Sequence, residues 1–172
     1  MKKNLLALSI AAMVGGLSGA ANAAVFVNTG AAGGLAAPAV AATTLETTTQ
    51  GTGHILVVPY FSTQANNATL LNLVNTDTVN GKAVKLRFRG AANSDDVFDI
   101  SIFLSPGDVW TANVSANGDL SALTTSDTSC TLPSAADIKD LGGKFKTNRV
   151  KAGDAAQTRE GYVEILNMAD IP

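Results

Sequence analysis

The sequence predicts an all-β chain folded as an antiparallel sandwich, and three observations carry that expectation. Between Gly81 and Val114, three apolar runs of strand length are separated by two breaker clusters, Gly90–Asp96 and Ser105–Asp108. Within each run the side chains alternate with a period of two. Val84, Leu86 and Phe88 alternate with Lys85, Arg87 and Arg89; Phe98, Ile100, Ile102 and Leu104 share one face and Asp99 and Ser101 the other; Trp110, Ala112 and Val114 alternate with Thr111, Asn113 and Ser115. Successive side chains of a strand point to opposite faces, so each run has a core side and a wet side. Finally, six or seven such segments follow one another at short spacing, joined by tight turns, which is how a sandwich is written.

The chain begins with a different kind of segment. Met1–Asn4 is positively charged, Leu5–Leu17 is apolar with a single Ser, and Ala21-Asn22-Ala23 has the small-x-small pattern of a cleavage site. This predicts a Sec signal peptide over residues 1–23, cleaved after Ala23. The apolar run of about 13 to 16 residues is short of the ~20 that span a bilayer, so no membrane insertion is expected after cleavage. Residues 24–53 are dominated by Ala, Gly and Thr with one charge, Glu46. They read as a flexible, low-complexity lead-in, with a short strand possible in composition at Ala24–Val27 and marginal order at Ala41–Leu45.

The sandwich domain is expected over residues 54–172. His54–Phe61 is a continuous apolar run whose Pro59 confines its end to a sheet edge or a bulge. Ala68–Thr76 is a second strand. Asn80-Gly81 is a strong turn dipeptide, which predicts a hairpin between that strand and Lys82–Arg89. Phe103 breaks the polarity of its strand and is expected to cover an edge. Leu120–Thr125 reads as a short strand and Ser126–Cys130 as a loop. Ser134–Asp137 ahead of Ile138 and Leu141 resembles a capping box, with Gly142 as the stop. Lys144–Thr158 is polar, and Gly161–Met168 closes the chain as a strand. The Trp strand after Pro106-Gly107-Asp108 gives the whole an immunoglobulin-like architecture, without the paired cysteines of antibody domains.

Composition limits the function classes. With Lys2 and Lys3 removed, ten basic residues stand against fourteen acidic ones, a net of −4. A mildly acidic chain does not attract nucleic acid by bulk charge, so no nucleic-acid partner is expected. Cys130 is the single cysteine and cannot form an intrachain disulfide. An odd cysteine in an exported protein suggests an intermolecular bond, a free thiol or a partner outside these residues; an end at Ala169–Pro172 directly after a strand-like segment favours the last, so a piece of a longer protein truncated at its C-terminus is expected.

Candidate chemistry is sparse. His54 is the single histidine, and no Gly-x-Ser-x-Gly elbow or phosphate loop is present. The expectation is therefore no enzyme, no catalytic residue and no cofactor. Asn93, Asp95, Asp96 and Asp99 form the densest oxygen cluster and are the candidates for a hard cation such as calcium. Calcium wants six to eight oxygens and this loop offers two or three. The competing reading is a turn whose carboxylates face the basic strand beside it. Lys85, Arg87 and Arg89 could bind a polyanion or form a solvated face. Trp110, Tyr60 and Phe61 could stack on a sugar, although the alternation points Trp110 inward.

Five segments together, Val58–Thr63, Asn67–Thr76, Gly81–Arg89, Leu104–Ala112 and Arg159–Ile165, resemble a group of exported bacterial cell-surface proteins of uncharacterised function. The resemblance implies export and surface display, and brings no activity, cofactor or site residue. The function expected on these grounds is a non-enzymatic structural or interaction domain, with other surface proteins or surface polysaccharide as partners. It would be found at the cell surface, outside the cell or in the periplasm. The alternative is a carbohydrate- or calcium-dependent binding module using residues 93–99.

Overall fold

A computed structural model describes residues 26–27, 40–41, 47 and 51–172. The expected signal peptide, residues 1–23, and most of the expected lead-in, residues 24–53, lie outside the described residues. The chain divides into two units, residues 1–30 with 34–47 and residues 31–33 with 48–172. In the first, β1 (Phe26–Val27) pairs antiparallel with β2 (Val40–Ala41).

The second unit holds β3 (Ile55–Ser62), β4 (Thr69–Val74), β5 (Gly81–Gly90), β6 (Asp96–Leu104), β7 (Val109–Asn117), β8 (Leu120–Thr124), β9 (Cys130–Leu132), α1 (Ala135–Asp140) and β10 (Glu160–Ile171). It is an all-β sandwich. Five strands in the order β3-β10-β5-β6-β9 face three in the order β4-β7-β8. The immunoglobulin-like expectation is one of architecture, two antiparallel sheets packed face to face. The strand order is the chain's own, with its first long strand beside its last.

The alternation read from the sequence sets the core. Val84, Leu86, Phe88, Phe98, Ile100, Ile102 and Leu104 from the larger sheet meet Leu71, Leu73, Trp110, Ala112, Val114 and Leu123 from the smaller. Trp110 is fully buried, and its indole N–H has no partner among the described residues. Pro59 lies on an edge strand and at a bulge at once. Between Phe61↔Gly161 and Val58↔Val163, two residues of β3 oppose one of β10.

Three expectations give way. β4 and β5 do not form a hairpin, because they lie in different sheets. The connection crosses the sandwich, held by Asn75, whose Nδ2 donates to the carbonyls of Asn80 (3.0 Å) and Ser105 (2.9 Å). Gly81 is needed for closeness rather than for a turn, since a Cβ there would sit 2.8 Å from the Leu104 carbonyl oxygen. Cys130 opens a strand rather than closing a loop, pairing with Phe103. Finally, Lys144–Thr158, read as polar, also contributes to the core. Phe145 and Val150 are buried, and Phe145 joins Phe61, Phe88 and Phe98 in one aromatic cluster at 5.0–5.9 Å between centroids.

The helix forms as its cap predicts. Ser134 Oγ accepts from Asp137 N–H (3.1 Å), Asp137 accepts from Ser134 N–H (3.2 Å), and Gly142 follows with φ +67°.

Candidate functional site

The outer face of the five-stranded sheet collects most of the strand charges among the described residues, because its wet positions fall on β5, β6 and β10. Lys82 opposes Leu104 and shares its side of β5 with Val84 and Leu86, so it lies apart from that face, and its Nζ reaches Asp77 and Asp170, each at 2.8 Å. Arg87 Nε lies 3.1 Å from Asp99 and 3.8 Å from Asp96, and Lys85 lies 3.9 Å from Asp99. Arg89 Nε lies 3.0 Å from Glu164, and Arg149 Nη1 reaches Asp96 at 2.8 Å. The basic strip Lys85, Arg87 and Arg89 is thus matched by carboxylates from the strands on either side of it. Screened by solvent, pairs such as Arg87–Asp99 and Arg89–Glu164 each contribute a few tenths of a kcal/mol, up to about 1 kcal/mol.

The oxygen cluster divides. Asn93 sits on the exposed tip of the 90–95 turn, which closes through Ser94 N–H to Gly90 O and Gly90 N–H to Asp95 O, both 2.9 Å. Asp95 stays on that turn. Asp96 and Asp99 leave it for the sheet, where Arg87, Arg149 and Lys85 engage them. Burial, and then the neighbouring Asp99, push the Asp96 carboxyl above its ordinary range. The structure therefore brings Asp96 and Asp99 together with cations and leaves Asn93 and Asp95 behind. Among the described residues, no group of three or more His, Cys, Asp and Glu is placed to hold a metal.

Nor do the aromatics assemble a platform. Phe61 and Trp110 are core residues, while Tyr60 is exposed and donates to Glu160 Oε2 at 3.0 Å. His54 is exposed at the foot of β3, and its carbonyl accepts from Asn167 N–H at 2.8 Å.

An open polar groove of about 610 Å³ runs between Phe103, Asp108, Thr111, Asp127 and Cys130. Its carboxylates serve the backbone. Asp127 accepts from Thr111 N–H (3.0 Å), Ser129 N–H (2.8 Å) and Ser129 Oγ (2.6 Å), and so closes the β7 edge beyond the end of β8. Burial pushes this carboxyl up, but the Ser129 and Thr111 bonds outweigh it and hold the group below its ordinary value. Asp108 accepts from Val109 N–H at 2.8 Å.

The smaller sheet is the feature that motif reading missed. β4, β7 and β8 contain no charged residue, and Leu70, Val74 and Val109 are exposed on them. The signal was present as an absence of charge on strands whose alternate positions are not core.

The ion pairs set an acid response. Asp77 is held far below the usual carboxylate range, first by Lys82 and then by the Asn80 and Val79 amides. Asp170 is pushed up by burial, but bonds from Lys82 and Asn167 bring it below its ordinary value. For these depressed carboxylates the stabilisation is present above the unfolded pKa of about 3.9 and is lost as pH falls below it. Asp96 has the opposite sign: its contribution is present below the ordinary value and is lost as pH rises through the elevated one. Urea midpoints should therefore fall between about pH 5 and pH 2, and fall less steeply in Asp77→Asn. An unchanged slope in that variant would contradict the assignment.

No family model, curated protein or solved structure matches this chain.

Proposed function

We propose that this chain is an exported, non-enzymatic domain of a bacterial cell-surface protein that works by structural interaction with neighbouring surface proteins. The observation that carries the reading is the division of labour between the sheets. The charged groups of the larger sheet are spent on one another, whereas the smaller sheet meets solvent with neutral polar and apolar side chains. A neutral face with exposed leucine and valine suits protein contact better than capture of an acidic polysaccharide. Export is supported by the leader at residues 1–23 and by the resemblance to surface proteins.

Fractionation of a Sec-competent bacterium producing the full chain tests the reading. The expected result is a chain whose mass begins at Ala24, recovered outside the cytoplasm. An intact chain beginning at Met1 and confined to the cytoplasm would contradict it.

A further inference from the structure

The two sides of the sandwich are finished differently. On one side α1 packs against both β8 and β9. There Leu123 N–H donates to Gly143 O and Phe145 N–H to Ser121 O, so the segment after α1 covers the β8 edge. On the other side, among the described residues, β3 and β4 are the last strands of their sheets. Bare edges are templates for pairing, and proteins commonly blunt them with charge, proline or bulges. β3 is blunted by Pro59 and its bulge. β4, Thr69–Val74, has no proline, no bulge and no charge.

The register identifies which groups β4 offers. It pairs with β7 from Thr69↔Val114 to Val74↔Val109, and Asn75 N–H donates to Asp108 O. Bonded and non-bonded pairs alternate along an antiparallel ladder. Leu73, Leu71 and Thr69 are therefore bonded to β7, while Leu70, Asn72 and Val74 turn their backbone groups outward. The same three side chains are exposed on the outer face.

We propose that a second copy of this chain pairs with β4 antiparallel, about a two-fold axis at Asn72. Outward groups at 70, 72 and 74 are symmetric about that residue. Asn72 then meets Asn72 of the second copy, and Leu70 meets Val74 of the second copy, each pair exchanging two backbone hydrogen bonds. Charge permits this register. Residues 63–68 before the strand carry no charge, and Asp77 beyond it is already matched by Lys82. The symmetric pairing therefore sets no like charges opposite one another. Leu70, 77% exposed, and Val74, 50% exposed, gain apolar partners across the junction. A two-strand junction belongs to the small interfaces, below about 1,200 Å², so the association is reversible and concentration-dependent. The inference rests on the interaction-domain reading and names the partner.

Sedimentation of the full chain from micromolar to millimolar concentration tests it. The expected result is a mass that doubles as concentration rises, with new amide-exchange protection at Leu70, Asn72 and Val74. Leu70→Lys and Asn72→Pro, at exposed positions whose N–H groups do not serve β7, should hold the chain at monomer mass with its melting temperature kept. A monomer at millimolar concentration would overturn the proposal. So would a dimer that survives both substitutions, or one abolished by Val57→Lys on β3. An exported but monomeric chain overturns the pairing alone, whereas retention in the cytoplasm overturns the functional reading beneath it.

Discussion

Phe145→Ala is expected to remove about 3–5 kcal/mol of unfolding free energy, the usual cost of a buried aromatic truncated to a methyl group. Phe145 is 1% exposed and stacks on Phe98 with the ring planes 16° apart and the centroids 5.1 Å apart. Phe88 lies 5.0 Å away and Phe61 5.9 Å away. The ring therefore fills space on the core side of the larger sheet. It also anchors the backbone of residues 143–146, which bonds to Leu123, Ser121 and Val97. Its neighbour Lys146 is exposed, and Lys146→Ala should change stability by less than about 0.5 kcal/mol. Urea denaturation of the two variants makes the comparison. A small loss in Phe145→Ala would mean that residues 144–158 are a surface loop after all.

Gly161→Ala should be as damaging, for a steric reason. A Cβ at Gly161 would overlap the Arg89 carbonyl oxygen and lie 3.1 Å from Phe61 Cε1. β10 is an inner strand, hydrogen-bonded to β3 on one side and β5 on the other, so it cannot back away without opening a ladder. Overpacking ordinarily costs about 1–3 kcal/mol, and here the obstacle is backbone rather than a flexible side chain. We expect a loss at or above the top of that range. Gly107→Ala provides the contrast. Its φ is +72° and the space around it is open, so only the left-handed backbone is penalised, by about 1–2 kcal/mol. Equal losses at the two sites would argue against the close approach of β10 and β5.

The fold was legible wherever a strand lies between a wet face and the core. Period-two alternation identified Val84, Leu86, Phe88, Ile100, Ile102, Trp110 and Val114 as interior, because alternation is a property of the strand itself. It failed where long-range geometry decides. Asn80-Gly81 has the local chemistry of a hairpin turn, yet Asn75 ties the connection across to Ser105 and sends β5 to the other sheet. Val97 is buried beside Phe98 because the ladder shifts between Phe88↔Phe98 and Arg89↔Asp96, which re-aims one residue. Phe145 stands alone among Lys and Asn, and no periodic pattern marks it.

Site reading followed the same division. Asp96 and Asp99 facing the basic strand was readable from their positions, since both the turn and the neighbouring Arg residues are local. Arg149, which reaches Asp96 from far along the chain, was not. The uncharged sheet was readable too, but absence of charge draws less attention than a cluster of acids.

In the proposed function the charges of this domain serve its fold, and its outward faces make contact between proteins. Binding of the chain beginning at Ala24 to an array of neutral and acidic glycans, with and without millimolar calcium, puts that proposal to the test. The expected result is no glycan class above background and no calcium-dependent change in binding or melting temperature. Reproducible capture of one glycan class, lost when Arg87 or Asp99 is replaced, would contradict the claim.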